Sequence, residues 1–318
     1  MRAVDRLRSS TDNRPVVTAA ADAGPLPMPA GLLAAALSYA LWGLFPLYFR
    51  QIASVPALEI VLHRSVWSLA FVLILLAVQG RWAWLAEVVK QPRTLAVFAL
   101  SALLLSTNWL VYVWAVNNGR VMEASLGYFI NPLVNVLLGM LFLHEKLRPA
   151  QRWALAVAAA GVAWLTWTAG VPPWIALILA LSFGLYGLLR KTAPLGALEG
   201  LALETALLAP LAVPALVWLS LHGGTLAQAD APTWAWLLFA GPLTAVPLLL
   251  FAHGARRVTM ATLGLLQYLA PTIQFVLAVW LFNEPLQPER LAGFVLIWVA
   301  LGLYSAESLW RLRREATA

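Results

Sequence analysis

The chain alternates between long apolar runs and short polar breaks. Ten apolar runs occupy residues 31–49, 57–79, 95–116, 121–143, 151–169, 173–189, 198–219, 233–252, 258–282 and 291–309. About 20 mainly apolar residues in a helix cross roughly 30 Å of hydrocarbon. Each run is therefore read as a spanning helix, and the pattern predicts an all-α membrane protein with ten transmembrane helices. The breaks leave no room for a soluble domain between spans. Residues 1–30 differ: they hold Arg2, Arg6, Arg8, Arg14, four prolines and no long apolar run. An apolar run that begins only near Gly31 does not fit a cleaved signal. Residues 1–30 read as a disordered cytoplasmic tail, and 310–318 as a short cytoplasmic C-terminal tail.

One polar interruption falls inside a span. "EASLGYFINPLVN" (123–135) carries a carboxylate, two amides and a proline amid Leu, Val and Phe. A second copy explains it. "WAVNNGRVMEASLG" (114–127) aligns with "FAHGARRVTMATLG" (251–264), matching Arg120 to Arg257 and Gly127 to Gly264. After a two-residue insertion, Pro132 meets Pro271, Asn135 meets Gln274 and Glu145 meets Glu284. "WGLFPLYFR" (42–50) pairs with "FGLYGLLRK" (183–191), and Glu59 with Glu199. The chain thus reads as two five-helix repeats, 31–169 and 173–309. An odd number of spans per copy inverts the second against the first. Folds of this kind bind substrate near the midplane, between the repeats.

Pro132 and Pro271 each fall near the middle of a span. A proline there removes a backbone hydrogen bond and frees a carbonyl, that of Tyr128 or Gln267. Such a carbonyl must find a partner or line a cavity. Asn131 and Asn135 share one helix face, as do Gln267 and Gln274. Matched helix kinks with amides beside them read either as two walls of a substrate cavity or as packing kinks bonded between helices.

Charge fixes the orientation. With the N-terminus inside, the cytoplasmic segments hold 17 of the 21 Lys and Arg residues, the outer segments hold Arg50, Arg120 and Arg290, and Arg64 lies within a span. That bias places both termini in the cytoplasm. The net charge of +7 is therefore a topology signal and does not argue for nucleic acid, which is not expected as a partner. The chain is 62% hydrophobic and 11% charged. About 25% charge is usual in soluble domains, so this chain cannot clothe a soluble surface. It has no cysteine, which excludes disulfides and thiolate metal sites.

The block "NWLVYVWAVNNGRVMEASLGYFINPLVNVLLGMLFLHEKL" (108–147) resembles the RarD family, in the EamA branch of the drug/metabolite transporter superfamily. "EIVLHRSVWS" (59–68), "FGLYGLLRK" (183–191), "TAVPLLLF" (244–251), "TLGLLQYLAPT" (262–272) and "FVLIWVALGLYS" (294–305) are similar to it as well. The resemblance covers about 31–310. It implies ten helices in two EamA repeats and a permease of the cytoplasmic membrane. The tail before Gly31 departs from the family pattern.

Candidate site residues follow. Asn108, one turn before Tyr112, with Trp42, Tyr128, Tyr186, Asn131, Asn135, Gln267 and Gln274, would suit an amphipathic organic solute; each aromatic alone could equally be packing. Ionisable groups inside spans are costly and functional by default. His63 can pair with Glu59 or relay protons. Arg64 and Glu204 occupy equivalent repeat positions, about seven residues into their spans. They are expected to form an ion pair, with a gating or proton-coupled role as the alternative. Glu123 opens its span, where the helix dipole favours a carboxylate. Glu145 and Glu284 are expected to tie down short loops. The Ala-rich "AVAAAGVAW" (156–164) reads as close packing, within the bundle or across a homodimer.

Catalytic signatures are weak. "HEKLR" (144–148) lacks the second histidine of a zinc-protease motif, and the four histidines are scattered. No metal or cofactor is expected. The reading is a secondary transporter that moves a small amphipathic organic solute or drug by alternating access, with a proton gradient as driver; the outward direction is what the resemblance alone implies. The alternative class is an intramembrane lipid-processing enzyme, which would need convergent catalytic groups near one face.

Overall fold

In hydrocarbon every backbone N–H and C=O must be satisfied within the protein, and a helix does this within one segment. The apolar runs obey. The computed structural model describes residues 28–118, 120–170, 172–224, 229–283 and 288–317, and among these it contains helices and no strand. The first half holds α1 (Met28–Gly43), α2 (Phe45–Gln51), α3 (Ala57–Gln79), α4 (Ala83–Val88), α5 (Pro92–Asn117), α6 (Val121–Phe142) and α7 (Pro149–Ala169). The second holds α8 (Trp174–Thr192), α9 (Ala197–Leu221), α10 (Ala231–Ala255), α11 (Met260–Gln267), α12 (Leu269–Val276), a π-helical turn (Leu277–Leu281) and α13 (Pro288–Thr317).

Eight segments of the described residues are long and apolar enough to cross a membrane. The two expected spans outside that set are α7 and α13. α7 opens on Gln151 and Arg152 and carries two threonines and a glycine, which dilute its apolarity. In α13 only Leu291–Tyr304 is apolar. α7 and α13 pack against each other, with Gly161 lying within 3.1 Å of the Gly293 carbonyl if given a Cβ.

Several boundaries differ from the sequence reading. α1 begins at Met28 because Pro29 suits the first turn of a helix. α13 continues through 310–317, where Glu, Leu, Arg and Ala favour helix beyond the apolar stretch. The first span breaks at Gly43–Leu44, and Pro46 begins a new helix. Glu284 and nearly all of the N-terminal tail lie outside the described residues.

The packing has a simple order. α3 lies against α9 and α10, α1 against α10 and α12, α5 against α8 and α9, and α6 against α8 and α11. Exchange α1 with α8, α3 with α9, α5 with α10, α6 with α11–α12 and α7 with α13. These contacts map onto one another. Even the two positive-φ residues other than glycine among the described residues, His144 (φ 52°) and Asn283 (φ 54°), stand at equivalent places in the sequence, each one residue before a repeat glutamate.

Two crossings depend on glycine. A Cβ on Gly264 would sit 2.6 Å from the Pro132 carbonyl oxygen, and one on Gly241 would sit 2.4 Å from that of Trp67. Backbone meets helix directly at both places, one joining α11 to α6 and the other α10 to α3.

Candidate functional site

A cavity of about 190 Å³ lies between the two halves. α1 and α2 contribute Tyr39, Trp42, Phe45, Pro46 and Phe49; α5 contributes Asn108, Trp109 and Tyr112; α6 contributes Ser125, Gly127, Tyr128 and Asn131. The second half adds Leu179, Phe183, Leu248, Gln267, Pro271 and Gln274. Arg64 reaches in from α3 and is the one formally charged side chain among the described lining residues. Ser125 and Tyr128 are exposed.

The proline-bearing spans explain the amides. α6 runs unbroken through Pro132. In the second half the helix breaks at Tyr268, between α11 and α12, one turn before Pro271. The two segments lean on each other there. Asn135 Nδ2 donates to Gln267 Oε1 (2.9 Å), and Tyr268 OH donates to the Phe129 carbonyl (3.2 Å). Gln274, just before the π-turn, donates through Nε2 to the Trp42 carbonyl (3.3 Å). The Asn108 amide nitrogen donates to Leu179 O (2.9 Å) and Ser182 Oγ (3.1 Å). Its carbonyl oxygen is then what it can offer a solute. Asn131 is buried, and its Oδ1 has no hydrogen-bond partner.

Of the residues singled out from sequence, Trp42, Asn108, Tyr112, Tyr128, Asn131, Gln267, Gln274, Arg64 and Pro271 line this cavity together. Asn135 and Pro132 stand behind the wall, in the α6–α11 contact. Tyr186 is fully buried, stacked on Phe251 with ring centroids 5.9 Å apart. Glu123 makes an ion pair with Arg120 at 3.6 Å, at the first turn of α6. His63 Nδ1 accepts from Trp67 Nε1 (2.9 Å), and its buried Nε2 has no partner, so it does not bond Glu59 through that nitrogen.

The expected Arg64–Glu204 pair is absent. Arg64 Nε donates to Thr244 Oγ1 (2.9 Å), with the guanidinium 4.8 Å from the Trp109 ring centroid and 5.4 Å from that of Phe45. Glu204 pairs with Arg190 at 3.5 Å and accepts from Ser101 Oγ (2.5 Å) and Tyr186 OH (3.5 Å). Depth is the reason. Arg81 and Glu199 form an ion pair, which marks a common level of α3 and α9. From that level Arg64 is about 25 Å along α3 and Glu204 about 8 Å along α9, at 1.5 Å per residue. Arg and Glu side chains cannot span the difference.

Arg190 follows an apolar run as a flanking cytoplasmic charge would, yet it is 1% exposed. It belongs to a closed end of the bundle. There Glu145 accepts from the N–H groups of Met260 (2.8 Å) and Ala261 (3.2 Å), capping α11 from the loop after α6. Lys191 Nζ donates to the carbonyls of Ala255 and Val258. Arg256 donates to the carbonyls of Ala193 (2.8 Å) and Leu195 (2.5 Å). Burial, then the charges of Arg190 and Arg257, lower the Arg256 pKa against the pull of Glu199. Between this end and the cavity lies an aromatic cluster of Tyr39, Trp42, Phe183, Tyr186 and Phe251, with ring centroids 5.4–6.1 Å apart. Sequence reasoning missed this end because each of its basic residues also looks like an ordinary flank of an apolar run.

A bundle with a solute-sized cavity between two similar halves defines a class of membrane carrier, and the comparisons agree. The model of the EamA-like transporter family matches twice, over residues 29–167 and 173–306. The chain belongs to the EamA-like transporter family and is a multi-pass membrane transporter. Within that family it is similar to proteins named RarD. The Streptomyces exfoliatus RarD is 46% identical over 286 residues, covering 90% of this chain and 91% of that protein. The Escherichia coli RarD is 41% identical over 288 residues, covering 90% and 97%. An uncharacterized transporter of Pseudomonas aeruginosa is 50% identical over 287 residues, covering 87% and 93%. One solved crystal structure matches with a TM-score of 0.67 at 19% identity, over 86% of this chain and 96% of that one. That match concerns the fold alone.

Proposed function

We propose that the chain is a ten-span secondary transporter. It moves a small amphipathic organic solute outward across the cytoplasmic membrane, by alternating access between inverted repeats, with both termini in the cytoplasm. One observation carries this reading: both halves line a single cavity that joins aromatic rings, amides and one cation. Its volume lies below the roughly 300–1,000 Å³ of drug-sized pockets, which suits a small solute. The exchange of contacts between halves supports a pseudo-two-fold relation, as alternating access by a repeat pair requires. The closed end holds Arg81, Arg190, Lys191, Arg256 and Arg257, which supports placing it in the cytoplasm. α7 and α13 then serve as the fifth and tenth spans. The conformation described is closed on the inside. The outward direction follows the resemblance to RarD proteins.

Topology and transport are separable tests. Reporter fusions after Pro172 and Gly224 should report an outer location, and fusions after Arg93, Arg190 and Arg257 the cytoplasm. An outer signal after Arg190 would sink both the ten-span count and the inversion. In proteoliposomes, flux of a radiolabelled panel of metabolites and drugs should fall when Asn131, Gln267 or Gln274 is changed to Ala. Unchanged flux in all three would assign these amides to packing.

A further inference from the structure

The electrostatics of the cavity restrict what it can hold. Arg64 brings one full positive charge into the space between the halves, and no carboxylate is among the described residues that line it. Its local partners are neutral: Thr244 Oγ1 at 2.9 Å and the rings of Trp109 and Phe45. A lone aromatic wall would favour a cation. Here the ring faces of Trp109 and Phe45 are already taken by the guanidinium, which repels a second cation. A guanidinium forms its strongest hydrogen bonds with a carboxylate or phosphate. A dianion would leave a net negative charge in a low-dielectric site, whereas a single carboxylate neutralises it.

We propose that Arg64 is an anion anchor, and that the solute is a small organic monocarboxylate with an apolar or aromatic body. The inference rests on the transporter reading for its biological sense, but not for its test. Binding is measured by isothermal titration calorimetry on the purified full chain in nanodiscs at neutral pH. The probes are hydrocinnamate, its uncharged amide hydrocinnamamide, and the cation phenethylamine, which share an aromatic body. Hydrocinnamate should bind about tenfold tighter than the amide or better, the difference expected of one charge-assisted hydrogen-bonded pair, with phenethylamine weakest. Arg64→Gln should erase the preference, and Arg64→Lys should keep part of it. Equal binding of acid and amide, tighter binding of the amine, no binding of any probe, or an intact preference in Arg64→Gln would each overturn the proposal. If Arg64→Gln does not fold, the order on the unaltered chain decides by itself. Counterflow of labelled hydrocinnamate in proteoliposomes separates the two readings. Acid-selective binding without flux sustains the anchor and sinks the transporter. Flux of phenethylamine without acid preference does the reverse.

Discussion

Glu145 is the sharpest point at which to disturb the closed end. Its carboxylate is half-buried and accepts from the N–H groups of Met260 and Ala261, the first two residues of α11. It thus joins the first half of the chain to a helix N-terminus of the second, where the helix dipole also favours a negative charge. Hydrogen bonds to a charged group are worth roughly 1.5–3 kcal/mol each, but water replaces them when the end opens. A net loss of about 2 kcal/mol in Glu145→Ala is therefore reasonable, which shifts the closed–open ratio about 30-fold. The chain has no cysteine, so a single reporter needs no background removal. Ala255→Cys suits: Ala255 is fully buried at that end, and its carbonyl accepts from Lys191. In nanodiscs the maleimide labelling rate of the introduced thiol should rise about 30-fold in Glu145→Ala, in line with the population shift. A reporter at Ala240, equally buried but remote from the cap, should not change. An unchanged rate in the Ala255→Cys background would refute the gating role. Equal acceleration at both sites would show general loosening instead.

Other predictions follow from the same contacts. Glu204→Gln leaves Arg190 with an unmatched buried charge and should cost roughly 3–5 kcal/mol, read as a fall in Tm; replacing Arg190 and Glu204 together by Met and Leu should recover most of it. Gly264→Val forces a side chain into the Pro132 carbonyl and should abolish a monodisperse, folded species in size-exclusion chromatography, whereas Gly302→Ala, with nothing within 4 Å, should not. Asp230 caps α10, and the Thr233 hydroxyl and N–H hold its carboxyl below the usual range. Its folded pKa is depressed, so its contribution is present above the ordinary value near 3.9 and fades as pH falls through the folded pKa. The Tm gap between the parent and Asp230→Ala should accordingly be small at neutral pH and vanish in acid.

Much of this architecture can be read in the chain because a membrane leaves few options. Length and apolarity locate the helices, and matched landmarks such as Pro132/Pro271 and Gly127/Gly264 reveal the duplication. The duplication in turn points to Asn131 and Gln267 as residues near an inter-repeat boundary. What the pattern hides is depth and partner choice. Arg64 and Glu204 hold equivalent repeat positions, yet opposite chain directions carry them to different levels. Arg190 looked like an ordinary flanking charge, because nothing local tells whether a basic residue after "GLL" turns to water or to a buried carboxylate. The break at Gly43–Leu44, the surface helix α4 and the π-turn near Gln274 depend on packing between distant segments, which no periodicity encodes.

The aromatic cluster that separates the cavity from the closed end has an electrical consequence. A dry layer of rings is a poor conductor, while a hydrated cavity takes the potential of the solution it meets. The membrane voltage should therefore fall mostly across those rings and not evenly across the bilayer. Moving one elementary charge through 100 mV exchanges about 2.3 kcal/mol. On the proposed orientation, with the closed end in the cytoplasm, the inside-negative resting potential drives an anion outward across that layer and holds a cation back. The voltage sensitivity of the whole cycle would then be concentrated in one step, the passage of the solute past Phe183, Tyr186 and Phe251.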